Sequence, residues 1–218
     1  MAELIARLKD TIAPYPDGVV ELVAPLRGTS FFPGGDGLWK EGGSPEFPQG
    51  KIMVLGHDWG TVDYLNSECK HNENLDGPTW RNLRKALLEP CGIALTDCFF
   101  TNVYMGARAS GKMTGTFPGA KDENFVKWCL DFLDFQIATQ RPRLILTLGI
   151  NVPPLLARLS DDLAEWRSVK SFKDLDALNE KGPLRKNISF PNHKVAAVAA
   201  LTHPSLWYAN VAGRVYDE

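Results

Sequence analysis

Four short apolar runs, set far apart along the chain, constrain its fold more than any other feature. They are Lys51 to Leu55, Cys98 to Tyr104, Leu144 to Leu148 and Val195 to Leu201. Each is almost continuously apolar and is bounded by Gly, Pro or polar residues. Strands covered on both faces read this way, because neither face meets water. The intervals carry helical spacing. "GPTWRNLRKALLEPCGI" puts Pro78 near a helix start, gathers Trp80, Leu83, Leu87 and Leu88 on one side, and stops at Pro90 and Gly92. "DENFVKWCLDFLDFQIATQ" has Asp122 at the N-cap position, and its apolar residues cover over half the circumference, as in a deeply buried helix. "NVPPLLARL" opens on Asn151 as a cap, with prolines in the first turn. The order is β-α-β-α-β-α-β, with crossovers long enough for right-handed parallel connections. The expected fold class is α/β: a three-layer α/β/α sandwich around a four-stranded, mainly parallel central sheet, with residues 1–218 as one domain.

The rest of the chain is quieter. "MAELIARLKDTI" reads as an amphipathic helix of a soluble protein rather than a signal peptide. Residues 14–50, rich in Pro and Gly, read as irregular surface chain. Residues 160–192 read as a helix and a loop. No apolar run has the length of a membrane span. The cysteines at 69, 91, 98 and 129 form no close pair, and Cys98 and Cys129 lie in apolar segments. Reduced thiols in a cytoplasmic monomer are the expectation. The 24 basic and 26 acidic residues give a net charge of -2. No global basic field is available to hold a polyanion, so contact with nucleic acid requires a local patch.

Ligands of open α/β sheets bind outside the carboxyl ends of the strands. The first strand exits into Gly56-His57-Asp58-Trp59-Gly60, and the second carries Thr101-Asn102. The third exits into Gly149-Ile150-Asn151, and the fourth into Thr202-His203-Pro204-Ser205. Taken singly, Asp58 reads as a turn cap as readily as a reactive group, Asn102 as a partner for backbone groups, and His203 as a bonded half-buried histidine. Their coincidence on one rim points to a site.

In this order and at these strand exits, "GHDWG", "TNV" and "HPS" resemble the motifs of the uracil-DNA glycosylase superfamily. "PRLILTLGINVPPLLA" resembles the strand-and-helix unit before its last motif, and the similarity runs from about Lys51 to Asn210. The resemblance implies removal of uracil or a related damaged base from DNA during repair, without metal or cofactor. Breaking an N-glycosidic bond needs negative charge near an oxocarbenium-like sugar and a donor facing the departing base. The resemblance assigns these roles to Asp58 and His203. The target base is flipped into a pocket. Asn102 would read its edge, since an amide both donates and accepts. Gly56, His57 and Trp59 would complete the base pocket, and Trp80 would stack on the base, although a tryptophan at helical spacing also suits a core. Ser205 and Leu206 would meet the DNA, with Leu206 as a wedge or as the apolar start of a helix.

The stretch "NVYMGARASGKMTGTFPGAK" offers Arg108, Lys112 and Lys121 to phosphates and has no acidic residue, though an ordinary solvated loop has the same composition. Arg81, Arg84 and Lys85 form a weaker basic group. Trp59 stands where the best-known branch has proline, and Gly60 where it has the tyrosine that excludes thymine. Two other functions stay open. One is a non-catalytic nucleic-acid-binding module on this fold, and the other an N-glycosidase of free nucleosides or nucleotides.

Overall fold

A computed structural model describes residues 2–10, 15–22, 26, 28–34, 51–178, 182–210 and 214. The expectation of irregular chain over residues 35–50 lies outside the described residues. The chain runs from α1 (Ala2–Asp10) through β1 (Val19–Glu21), β2 (Ile52–Gly56), α2 (Val62–His71) and α3 (Pro78–Asn82), which continues into a wider turn over Leu83–Leu88. Then follow β3 (Cys98–Asn102), β4 (Gly106–Arg108), α4 (Glu123–Gln140), β5 (Leu144–Leu148) and α5 (Val152–Leu156). The described residues continue through α6 (Phe172–Asp176), β6 (Leu184–Ser189), β7 (Lys194–Leu201) and α7 (Trp207–Asn210). No helix among the described residues is long and apolar enough to cross a membrane.

The central sheet has the order β3-β2-β5-β7-β6. The first four are parallel and are the four apolar runs, so their carboxyl ends share one edge. The expectation of four strands is corrected by β6, which adds antiparallel to β7. Its sequence, LRKNIS, buries only Arg185 and Ile188. That spacing matches neither a continuous run nor a period of two, so the pattern gave no strand signal. β1 and β4 form a separate antiparallel pair, a short strand within the stretch expected to be irregular.

Alternation of side chains across the strands builds two cores. Met53, Leu55, Phe99, Ile145 and Val198 join one cluster with α1, α4 and α5. Val54, Phe100, Leu146 and Leu201 join the other with Trp80, Leu83 and Leu88. Helices therefore pack against both faces of the sheet. The caps follow the sequence in part. Pro78 opens α3, and the Asp122 carboxylate accepts from the Phe125 amide at 2.9 Å to start α4. Asn151 makes no side-chain cap; Pro153 and Pro154 lack the amides that such a cap would serve.

Candidate functional site

The parallel register places Gly56 of β2 beside Asn102 of β3, and Thr147 of β5 beside Ala200 of β7. The exits after these residues form the expected rim. Beyond Gly56 the chain does not leave at once: Val103 N–H donates to Gly56 C=O and Tyr104 N–H to His57 C=O, each at 3.0 Å. These bonds hold the His57-Asp58 turn against the exit of β3.

Asp58 is fixed at both oxygens. Oδ1 accepts from the Gly60 amide at 2.8 Å and from Arg108 Nε at 3.1 Å. Oδ2 accepts from Arg108 Nη2 at 2.8 Å and lies 2.8 Å from His57 Nδ1. The Asp58 and Arg108 side chains are only 6% and 5% exposed. Burial alone pushes the carboxyl pKa up, but bonds from His57 and Arg108 outweigh it and hold the value down at about 2. Asp58 is therefore a fixed anion and can only accept, so the His57 nitrogen facing it carries the proton.

Arg108 corrects an expectation. The loop's composition suggested a solvated cation for phosphates, yet the guanidinium is buried and spent. Besides Asp58 it binds the carbonyls of Thr114 at 3.5 Å, Gly115 at 2.9 Å and Thr116 at 3.1 Å. Its backbone is pinned as well, since Arg108 N–H donates to Gly60 C=O at 2.8 Å and Arg108 pairs with Val19. Lys112, four residues on, is exposed at the surface of the same loop.

Asn102 is 5% exposed, and among the described residues its amide makes no hydrogen bond. Its polar atoms are not among those closed to solvent without a partner, so the amide is open to water or to a ligand. It also explains Gly56: a Cβ there would sit 2.2 Å from Asn102 Oδ1. Gly56 thus makes room for the Asn102 side chain.

His203 caps the turn at Pro204–Leu206. Its Nδ1 accepts from the Ser205 amide at 3.3 Å and lies 2.8 Å from Ser205 Oγ. With Nδ1 accepting, the neutral ring carries its proton on Nε2. Burial lowers the His203 pKa, opposed by the Asp58 carboxylate and reinforced by His57. The imidazole is accordingly a neutral donor at neutral pH. Asn82 Nδ2 donates to Pro204 C=O at 2.7 Å and ties α3 to this turn. Ser205 is exposed, and Leu206 keeps 49% of its surface in water.

Two aromatics expected at the base pocket lie behind it. Trp80 is buried among Leu83, Leu88 and Phe100, with its ring 5.0 Å from that of Phe100. Trp59 is buried with Leu22, Leu65 and Ala107. An aromatic beside Gly56 at the rim is Phe31, which sequence reasoning missed. Its ring stands edge-on to Trp59 and Trp80 at 6.2 and 5.8 Å, and its Cε1 would lie 3.4 Å from a Cβ on Gly56. The doublet in "FFPGG" was its only signal, two aromatics in a stretch otherwise too polar and glycine-rich to need them.

Behind Phe31 sits Glu73, whose carboxylate accepts from the Ser30 amide at 2.8 Å. Burial raises its pKa to about 7, against hydrogen bonds from Ser30 and Trp80. Among the described residues no three His, Cys, Asp or Glu side chains are grouped to hold a metal ion. The sequence matches no protein-family model and no curated protein.

Proposed function

We propose that the chain hydrolyses the N-glycosidic bond of uracil or a related damaged base in DNA. The observation that carries this is the idle, nearly buried amide of Asn102 on the same rim as a neutral donor histidine and an ionised aspartate. Asn102 offers a donor and an acceptor to a pyrimidine edge. His203 Nε2–H donates to the carbonyl oxygen on which the leaving base gathers negative charge. Asp58 sets a fixed negative charge at the rim, partly offset by Arg108, where the sugar becomes positive. Phe31 supplies an aromatic edge beside Gly56 for a flipped base. Lys112, Ser205 and Leu206 are exposed and would contact the strand.

The test is cleavage of labelled single- and double-stranded oligonucleotides carrying one uracil, hypoxanthine or thymine mismatch. After alkali, wild type is expected to break the strand at the modified base and Asp58→Asn is not. Full activity in Asp58→Asn sinks its assigned role.

One observation favours a second reading, a module that binds an extruded base without cleaving it. Every lone-pair direction of Asp58 is already taken by protein donors. Such a module binds the same oligonucleotides with no product, and turnover excludes it.

A further inference from the structure

A carboxylate presents about four lone-pair directions. At Asp58 four protein donors meet them: the Gly60 amide, Arg108 Nε, Arg108 Nη2 and His57 Nδ1. The side chain is also almost closed to solvent. In this arrangement Asp58 has no direction left in which to hold a water molecule. A group kept ionised to about pH 2 is, besides, too weak a base to take a proton from water near neutrality.

The open position lies one bond further on. His57 Nδ1–H is directed at Asp58, so in the neutral ring Nε2 carries the lone pair, and among the described residues Nε2 makes no hydrogen bond. The ring is 17% exposed, and it stands edge-on to Tyr104 at 5.1 Å and Phe117 at 6.5 Å. Those contacts and the Asp58 bond fix its plane while leaving part of the ring to solvent.

We propose that His57, oriented by Asp58, is the proton acceptor that activates the attacking water. The role rests on the base-excision reading above. Water oxygen bonds to the sugar C1′ as the C1′–N bond breaks, and its electron pair leaves with the base. His57 Nε2 takes the water proton. His203 Nε2–H holds the departing anion, which gains a proton from solvent, and His57 then returns its own proton to solvent. The products are the free base and an abasic sugar. Asp58 is a positioning residue in this scheme, and Arg108 keeps it ionised.

Among the described residues, the titratable and charged groups recorded against His57 and its turn include Asp58 on the same turn, Arg108 on β4, Tyr104 after β3, and His203 after β7. Of these, Tyr104 is pushed up to about 12 by burial and Asp58 down to about 2, so neither changes state near neutrality.

The experiment has two arms. The first measures single-turnover excision of uracil from an oligonucleotide between pH 5 and 9, for wild type and His57→Gln. A loss on the order of 100-fold is expected. A His57→Gln protein that keeps the wild-type rate overturns the role while leaving the excision reading standing. A folded wild type that excises no base overturns the excision reading, and the role of His57 with it. The second arm needs no activity and no variant that folds poorly. Nitrogen NMR of the four histidines in wild type is expected to show His57 protonated at Nδ1 and bare at Nε2. The opposite tautomer overturns the proposal.

Discussion

Arg108 with Asp58 and Arg214 with Asp176 are both two-point pairs withdrawn from water: 5% and 6% exposed in the first, 2% and 0% in the second. Their bonds are alike, at 3.1 and 2.8 Å against 2.8 and 2.9 Å. Their surroundings differ. Arg214 also donates to Ala200 C=O and lies 4.3 Å from the centre of the Phe172 ring, and neither of those groups titrates. It clasps α6 to β7. Asp58 shares an oxygen with a histidine that reaches solvent. A buried ion pair holds a fold in either place. It can serve chemistry only where one member passes its charge to a group able to exchange a proton.

The comparison first requires that the two pairs matter equally to folding. Arg108→Met and Arg214→Met each strand a buried carboxylate, and each is expected to lower the unfolding free energy by about 3–5 kcal/mol in urea titrations. A large loss in only one would break the equivalence. At a temperature where both variants stay folded, Arg214→Met is expected to keep the proposed excision activity and Arg108→Met to lose it. Adding Asp58→Asn to Arg108→Met removes the stranded charge, and should return about 1 kcal/mol or more without restoring activity.

A pH series sharpens the contrast further. Asp58 has a folded pKa below its unfolded value. Its contribution is complete above pH 4 and is lost as pH falls through about 2, on the order of 2 kcal/mol. Glu73 has the opposite sign. Its folded pKa of about 7 lies above the unfolded value, so its contribution is complete below about pH 4.5 and is lost as pH rises through 7. Discounted for partial exposure, that loss is about 2 kcal/mol, and Glu73→Gln should abolish it in melts taken from pH 5 to 8. A wild type whose stability is flat over that range would show that Glu73 is not buried in solution. The smallest effect is expected at Leu206→Ala, within about 0.5 kcal/mol of wild-type stability. If Leu206 enters the gap left by a flipped base, the same variant should lower excision from duplex DNA more than from single strands.

What the sequence disclosed depended on how each residue is surrounded. β5 matches its apolar run residue for residue, and β2 and β7 match theirs within one residue, because strands buried on both faces leave continuous apolar runs. Asp58, Asn102 and His203 were found by position alone, since parallel strands of one sheet must end on one edge. Arg108 was misplaced because its neighbours, "SGKMTGT", look like a solvated loop. Its burial depends on β1 and Asp58, both distant in sequence. Trp80 was expected to stack on the base and Phe31 was missed for a related reason. Helical spacing does not reveal which ring faces the core and which the rim, and Phe31 reaches the rim from a segment with no periodicity.

The last strand of the sheet has a consequence for how the molecule behaves in company. β6 is an edge, and an edge with free backbone groups recruits foreign strands. At its end Ser189 N–H donates to Asp162 at 2.7 Å, and Ser189 C=O accepts from Ser160 Oγ at 2.8 Å. Asn187 interrupts the strand with a left-handed backbone at φ 57°. Lys186 beside it is exposed and adds charge. The sheet therefore ends in an edge whose last residue is already bonded by Ser160 and Asp162, which shortens the stretch of backbone open to a foreign strand.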